Sequence, residues 1–242
     1  MFVDCRLPGA LDGEDYQVVP QVPFYMKLKP FLLIFGLLQT PPSFGSELTL
    51  GQDAYEDGDL PKAQLHFEAA VTELSEAGAH DKAYSEALNK LGNCYYMEGK
   101  FGEAESVFKK LVSLDEGLYG KNSIELASDV YSLLRPVRRL HRFLDAEPLI
   151  ERVLGIRRSV LGEQDELVGN SWLDLAVNSH RLGKLPEAEN AYIRAIAIRE
   201  QFREQQNKVA LALRMYAGLL RELNRNEEAE VIERKLQNLD EH

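Results

Sequence analysis

The chain has 242 residues and carries 39 acidic against 28 basic side chains, a formal net charge of −11. That balance excludes a general nucleic-acid binder, which needs a basic footprint to displace counterions from phosphates; an acidic surface mainly favours solubility. The two cysteines, Cys5 and Cys94, form no disulfide framework, and without a CxxC or Cys/His cluster they suggest no zinc site.

In chain order, the first stretch, "MFVDCRLPGALDGEDYQVVPQVPFY", shows no hydrophobic periodicity. The next, "MKLKPFLLIFGLLQTPPSFGS", reads like the start of a protein. Lys27 and Lys29 form a positive n-region, Phe31 to Leu38 an apolar h-region, and Ser43 and Gly45 a small-x-small site. These are the parts of a secretory signal cleaved before Ser46. The expectation is that Met26 is the initiator, residues 1–25 an upstream extension and residues 26–45 a signal peptide, which places the protein in an extracytoplasmic, periplasmic or secreted compartment. The alternative is a cytoplasmic protein in which residues 26–45 fold as an apolar cap on the first helices beyond Ser46, although Pro30 and the Pro41–Pro42 pair leave little more than two helical turns between them. The eight-residue apolar run is far short of the roughly 20 residues that a membrane-spanning helix needs.

From Ser46 onward a phrase recurs: "LPKAQLHF", "FGEAESVF", "FLDAEPLI", "LPEAENAY" and "NEEAEVIE". Its alanines, Ala63, Ala104, Ala146, Ala188 and Ala229, are spaced by 41, 42, 42 and 41 residues. Upstream of each lies an apolar-periodic segment with a small residue (Gly51, Gly92, Ala176 or Ala217) and a turn glycine (Gly58, Gly99 or Gly183), followed by an apolar residue at Leu60, Phe101, Phe143 or Leu185. After the alanine, apolar residues return every three or four positions, as at Tyr192, Ala195 and Ile196. The unit is helix, short turn, helix. Small residues at Gly92 and Ala104 let the two helices of a hairpin approach closely, and Phe108 and Tyr192 fill the gap to the next hairpin. Such a hairpin cannot bury its apolar face alone and must stack on its neighbours.

Two units depart from the pattern. In the third, Leu134 stands at the small position, His141 at the turn glycine, and Pro136 inside the first helix, where it should introduce a kink. In the fifth, Asn226 and Glu233 replace apolar or aromatic residues, as suits a last unit whose outer face meets water. The linkers "EAGAHD", "GLYGKNS", "GEQDE" and "REQQNK" are short and polar, with Asn122 or Ser123 placed to cap the helix beyond.

The segments "LNKLGNCYYMEGKFGEAESVF" and "WLDLAVNSHRLGKLPEAENAYIRA" resemble tetratricopeptide (TPR) repeats, matching at Leu91, Gly92, Tyr95, Gly99, Phe101, Ala104 and Phe108, and at Trp172, Leu175, Ala176, Gly183, Ala188, Tyr192 and Ala195. The usual repeat has 34 residues; the longer unit here is similar to that of kinesin light chains and many bacterial TPR proteins. The resemblance covers residues 46–242 and implies an all-α, right-handed α-solenoid of about five stacked helix-turn-helix repeats. It also implies a non-enzymatic module that binds an unidentified protein or peptide segment in its concave groove, the alternative being an assembly scaffold that works through convex or end-to-end contacts.

In that fold the first helices line the concave face, at positions three before, one after and four after the small residue. These are Asn89, Asn93 and Tyr96; Tyr131, Arg135 and Arg138; Leu173, Val177 and His180; and Arg214, Gly218 and Arg221. Four arginines thus face the groove of an acidic chain, with Arg139 and Arg142 nearby. Arginine offers planar, bidentate donors to a carboxylate, so the groove could take an acidic peptide; alternatively, these arginines pair with the chain's own glutamates. The lysine and asparagine pattern of the chaperone-binding carboxylate clamp is not reproduced. The sequence holds no HExxH, GxSxG, phosphate-binding loop or dinucleotide fingerprint, so no catalytic residue, metal or cofactor is expected. Cys94 reads as a small core filler.

Overall fold

The computed structural model describes residues 46–202 and 206–240; the signal-like segment and the extension before it lie outside the described residues. Ten helices succeed one another among the described residues, paired as five hairpins. They are α1 (Ser46–Glu56) with α2 (Leu60–Glu76), α3 (Lys82–Met97) with α4 (Phe101–Tyr119), α5 (Ile124–Arg139) with α6 (Phe143–Leu161), α7 (Glu166–Arg181) with α8 (Leu185–Arg199), and α9 (Gln206–Glu222) with α10 (Asn226–Asp240). Each helix packs on its partner in the hairpin and on the next helix in the chain. The result is the stacked solenoid expected from the period.

The turn inside each hairpin is one design used five times. A residue in the left-handed region ends the first helix, and the next N–H bonds back five residues: Asp59 to Ala54, Lys100 to Tyr95, Arg142 to Val137, Lys184 to Ser179 and Arg225 to Leu220, at 2.8 to 3.2 Å. This closes the otherwise unsatisfied carbonyls of the helix end. Glycine takes the left-handed position at Gly58, Gly99 and Gly183, whereas His141 (φ 57°) and Asn224 (φ 58°) take it in the third and fifth hairpins. Three of the first helices are capped by side chains: Asp81 accepts from Ala83 and Tyr84, Ser123 from Leu126, and Asp165 from Leu167. Ser123, rather than Asn122, is therefore the cap of α5.

Ala63, Ala104, Ala146, Ala188 and Ala229 are all fully buried at the hairpin interfaces. Gly51 and Gly92 lie directly against the rings of Phe67 and Phe108, both wholly buried. In the third hairpin Leu134 and Ile150 occupy these positions and are buried together. Helix α5 runs unbroken through Pro136. The proline sits three residues from the helix end, so its missing N–H removes a single bond of the last turn. Cys94 is a free, wholly buried thiol.

Candidate functional site: the face of the first helices

Hydrogen bonds spanning one repeat tie successive first helices together. Tyr55 donates to the Met97 sulfur (3.3 Å), Arg135 Nη1 to Asn93 Oδ1 (3.0 Å) and Lys208 Nζ to Glu166 Oε1 (2.9 Å), and His180 Nε2 meets Glu222 Oε2 at 2.8 Å. Each of these pairs is 42 residues apart.

Asn89, Asn93, Tyr96 and Arg135 form one cluster. Asn93 Nδ2 donates to both the backbone and side-chain oxygens of Asn89 at 2.9 Å, which aims its own Oδ1 at Arg135. The Arg135 guanidinium lies 4.1 Å from the centre of the Tyr96 ring, a cation–π contact that holds it against α3. Tyr96 itself is buried, with the Phe101 ring centre 5.4 Å from its own.

A second cluster adjoins the first through Tyr131. Arg138 Nη1 donates to Asp174 Oδ1 at 2.5 Å, and the Arg157 guanidinium lies 5.1 Å from the Tyr131 ring centre. The buried Arg157 donates to Ser171 Oγ (2.8 Å) and to the Leu167 carbonyl (3.2 Å). The Asp174 carboxylate, then burial, push the Tyr131 hydroxyl above its ordinary range, while Arg138, Arg157 and Arg135 oppose them. Burial pushes the Arg157 guanidinium down. Three guanidiniums therefore bear on this spot against one carboxylate, in a chain whose overall balance is acidic.

The remaining positions do not join these clusters. His180 is held between Glu222 and the Tyr192 hydroxyl, 3.5 Å from its Nδ1. Arg221 turns onto its own hairpin, bonding Glu233 (2.7 Å) and Asn226 (3.2 Å). Arg214 and Gly218 are exposed and Val177 half-buried. Leu173, expected on the groove, is 1 % exposed and belongs to the core with Ala188 and Tyr192. Arg142 binds Glu105 and Asp145, and Arg139 covers the ring of Phe101 at 5.0 Å, so neither extends the groove cluster. Self-pairing with the chain's own acids thus accounts for Arg138 and Arg221. Asp174, Arg157 and Ser171, which complete the second cluster, were not among the expected positions; a charge at an apolar position of the helical period, as in "VLGIRR", was the available signal.

Among the described residues no group of His, Cys, Asp or Glu is placed to hold a metal ion, and no helix is long and apolar enough to cross a membrane.

Helical hairpins stacked in register around a face of first helices define an α-solenoid repeat protein. The tetratricopeptide repeat model matches residues 45–117 and 137–201, and the chain belongs to that family. The unmatched interval contains Asp129, Leu134, Arg135 and Pro136, where the third unit departs from the pattern. No curated protein matches the sequence. Among solved structures the chain is similar to BtubC (BKLC) from P. vanneervenii, with a TM-score of 0.71 and 18% identity over 80% of this chain and 78% of that one. It is similar to a putative kinesin light chain with nearly identical TPR-like repeats from Podosopora anserina, with a TM-score of 0.69 and 16% identity over 84% and 97% of the two chains. It also resembles MamA (41-end) from Desulfovibrio magneticus RS-1, with a TM-score of 0.64 and 14% identity over 83% and 96%. At these identities the likeness is one of fold.

Proposed function

We propose that this protein is a non-enzymatic interaction module that holds an extended, carboxylate-bearing segment of a partner protein along α3, α5, α7 and α9. The family supports protein binding in general terms. The observation that carries the finer reading is Arg135, half-buried on the face of the first helices and held there by Tyr96 and Asn93; Arg138 and Arg157 add positive potential beside it, although their own donors are engaged by Asp174, Ser171 and the Leu167 carbonyl. A half-buried guanidinium with donors in a fixed plane recognises a carboxylate geometrically as well as by charge. Arg135 is already oriented by Tyr96 and Asn93, so little side-chain freedom is lost when a ligand engages it.

The test is capture of partners by the purified chain and by its R135E/R214E variant, alongside fluorescence anisotropy with a labelled Glu/Asp-rich peptide. Binding that is lost in the variant and weakened by salt is expected. Unchanged capture by the variant would remove the groove from the reading.

A second reading, an assembly scaffold, is favoured by large apolar side chains left in water on the second helices: Leu65 (65% exposed), Leu144 (71%), Ile193 (49%) and Val231 (55%). Light scattering with crosslinking distinguishes the two, since a chain that stays monomeric and forms no crosslinks at high concentration does not self-assemble. We further propose export, on the strength of the segment beginning at Met26. N-terminal sequencing of the natural protein is expected to begin at Ser46, and a retained Met1 refutes it.

A further inference from the structure

The junctions between hairpins carry buried charge at a fixed register. Eleven residues after the central alanine of the second, third and fourth hairpins stand Asp115, Arg157 and Arg199, which are 3%, 6% and 1% exposed. Each lies where the second helix of one hairpin meets the first helix of the next. At the third junction Arg157 donates to Ser171 of α7 and to the Leu167 carbonyl. At the fourth, Arg199 donates to the Lys208 carbonyl and to Asn170, both at 2.7 Å. A cation thus crosses each joint and bonds to acceptors on the other side.

The second junction has the opposite chemistry. Asp115 replaces the arginine, and Asp129 of α5 occupies the register of Ser171. Ser85 of α3 donates to Asp115 Oδ2 at 2.7 Å, leaving Asp115 Oδ1 and Asp129 Oδ2 buried with no donor. Asp115 and Asp129, 3% and 7% exposed, hold the register of Arg157 and Ser171, which bond at 2.8 Å, so the two carboxyls pair with each other when one of them keeps its proton. The ionisable groups that bear on the pair are Tyr119 of α4 and Glu125 of α5, and α3 contributes the neutral Ser85 hydroxyl; among the described residues no cation acts on Asp129.

We propose that the joint between the second and third hairpins is a proton-operated latch, closed by one proton held between Asp129 and Asp115 and loosened when that proton leaves to solvent. With the proton in place, Asp129 donates to Asp115 and both orphaned oxygens are satisfied. Without it, two buried carboxylates face each other across α4 and α5 with no counter-charge, and repulsion and the loss of the hydrogen bond both act to part the helices. Helix α5 also carries Tyr131, Arg135 and Arg138, so the latch stands at the root of the groove cluster.

Burial, the hydrogen bond with Asp115, and the charges of Asp115 and Glu125 push the Asp129 carboxyl up to about 8. The folded chain therefore holds a proton that the unfolded chain has released above the ordinary carboxylate range. Stability falls as pH rises from that range to about 8 and levels off beyond it.

Thermal melts of the full chain and of D129N between pH 6 and 9 test the latch. The amide of D129N donates permanently, so the wild type is expected to lose several degrees relative to D129N across this window. Parallel curves overturn the proposal. If D129N does not fold, D115N supplies the donor from the other side and is read the same way. A carbon-13 carboxyl titration of the wild type is independent of both variants. A midpoint for Asp129 near or above neutrality is expected, and one in the ordinary carboxylate range overturns the proposal.

Discussion

Replacing Gly92 with alanine adds one carbon at the tightest point of the second hairpin. An ideal Cβ there would stand 2.6, 2.8 and 2.9 Å from three carbons of the Phe108 ring. Ordinary carbon–carbon contact is about 3.5 Å, so the ring or the helix must move by roughly 1 Å. Phe108 is wholly buried and a ring cannot bend away as a flexible chain end would. Overpacking of this kind costs about 1–3 kcal/mol, while removing a glycine from a helix interior returns about 0.5–1 kcal/mol. Taking the upper part of the cost, G92A should lose about 2 kcal/mol, and for a chain of this size about 2–4 °C in Tm accompanies each kcal/mol. The expected fall is therefore about 4–8 °C by far-UV circular dichroism. Gly102, at the exposed start of α4, has nothing within 4 Å of its would-be Cβ, so G102A should melt at or slightly above the wild type. The double variant G92A/F108L should recover part of the loss by giving the methyl room. If G92A melts as high as the wild type, the hairpin is not held to its spacing by the absence of that carbon, and the reading of the small-residue position fails.

Asp115→Arg transfers the joint chemistry of the third and fourth junctions to the second. At pH 9, where the acid pair is least satisfied, it should raise stability in urea by about 1–3 kcal/mol by pairing with Asp129. A loss instead would mean that α4 and α5 lack the room that α6 and α7 give Arg157. Cys94 should be silent to a thiol reagent in the native state and react at once in denaturant. It is wholly buried, and burial together with the charge of Glu98 pushes its thiol up to about 11. Rapid native labelling would show that α3 opens locally without global unfolding.

Much of the fold was legible because one small residue, alanine, recurs where two helices must touch, and size is a constraint that composition cannot hide. The turn was equally legible at Gly58, Gly99 and Gly183. His141 and Asn224 held the same backbone conformation without announcing it, since side chains at positive φ are uncommon but tolerated for these types. Pro136 signalled a distortion that its place near the helix end makes cheap. The site was legible only in part. Asn93 and Arg135, placed at the same register one repeat apart, hydrogen-bond to each other. The sequence allowed for groove arginines pairing with acids of the chain itself but could not name the partners, because Asp174 and Glu233, which take Arg138 and Arg221, sit at register positions outside the groove pattern. Nor could periodicity locate Asp115, Arg157 and Arg199, because a charged residue in a helical pattern is assigned to water by default. Here three of them lie inside the joints.

The five turns share one hydrogen-bond pattern, and the spacing from Gly51 to Ala63, Gly92 to Ala104, Leu134 to Ala146, Ala176 to Ala188 and Ala217 to Ala229 is twelve residues in every case. The difference between the 41- and 42-residue units therefore falls beyond the alanine, where the second helices run 17 and 15 residues in the 41-residue units and 19 in both 42-residue units, with longer linkers after the shorter helices. A residue gained inside a hairpin would rotate everything beyond it by about 100° around the helix axis and expose what the alanine hides. One gained between hairpins is absorbed where the second helix ends and the linker begins. Tolerance of length change in this molecule is thus sharply divided: the linkers are where extra sequence, a tag or an inserted epitope can be accommodated, and the hairpins are closed to it.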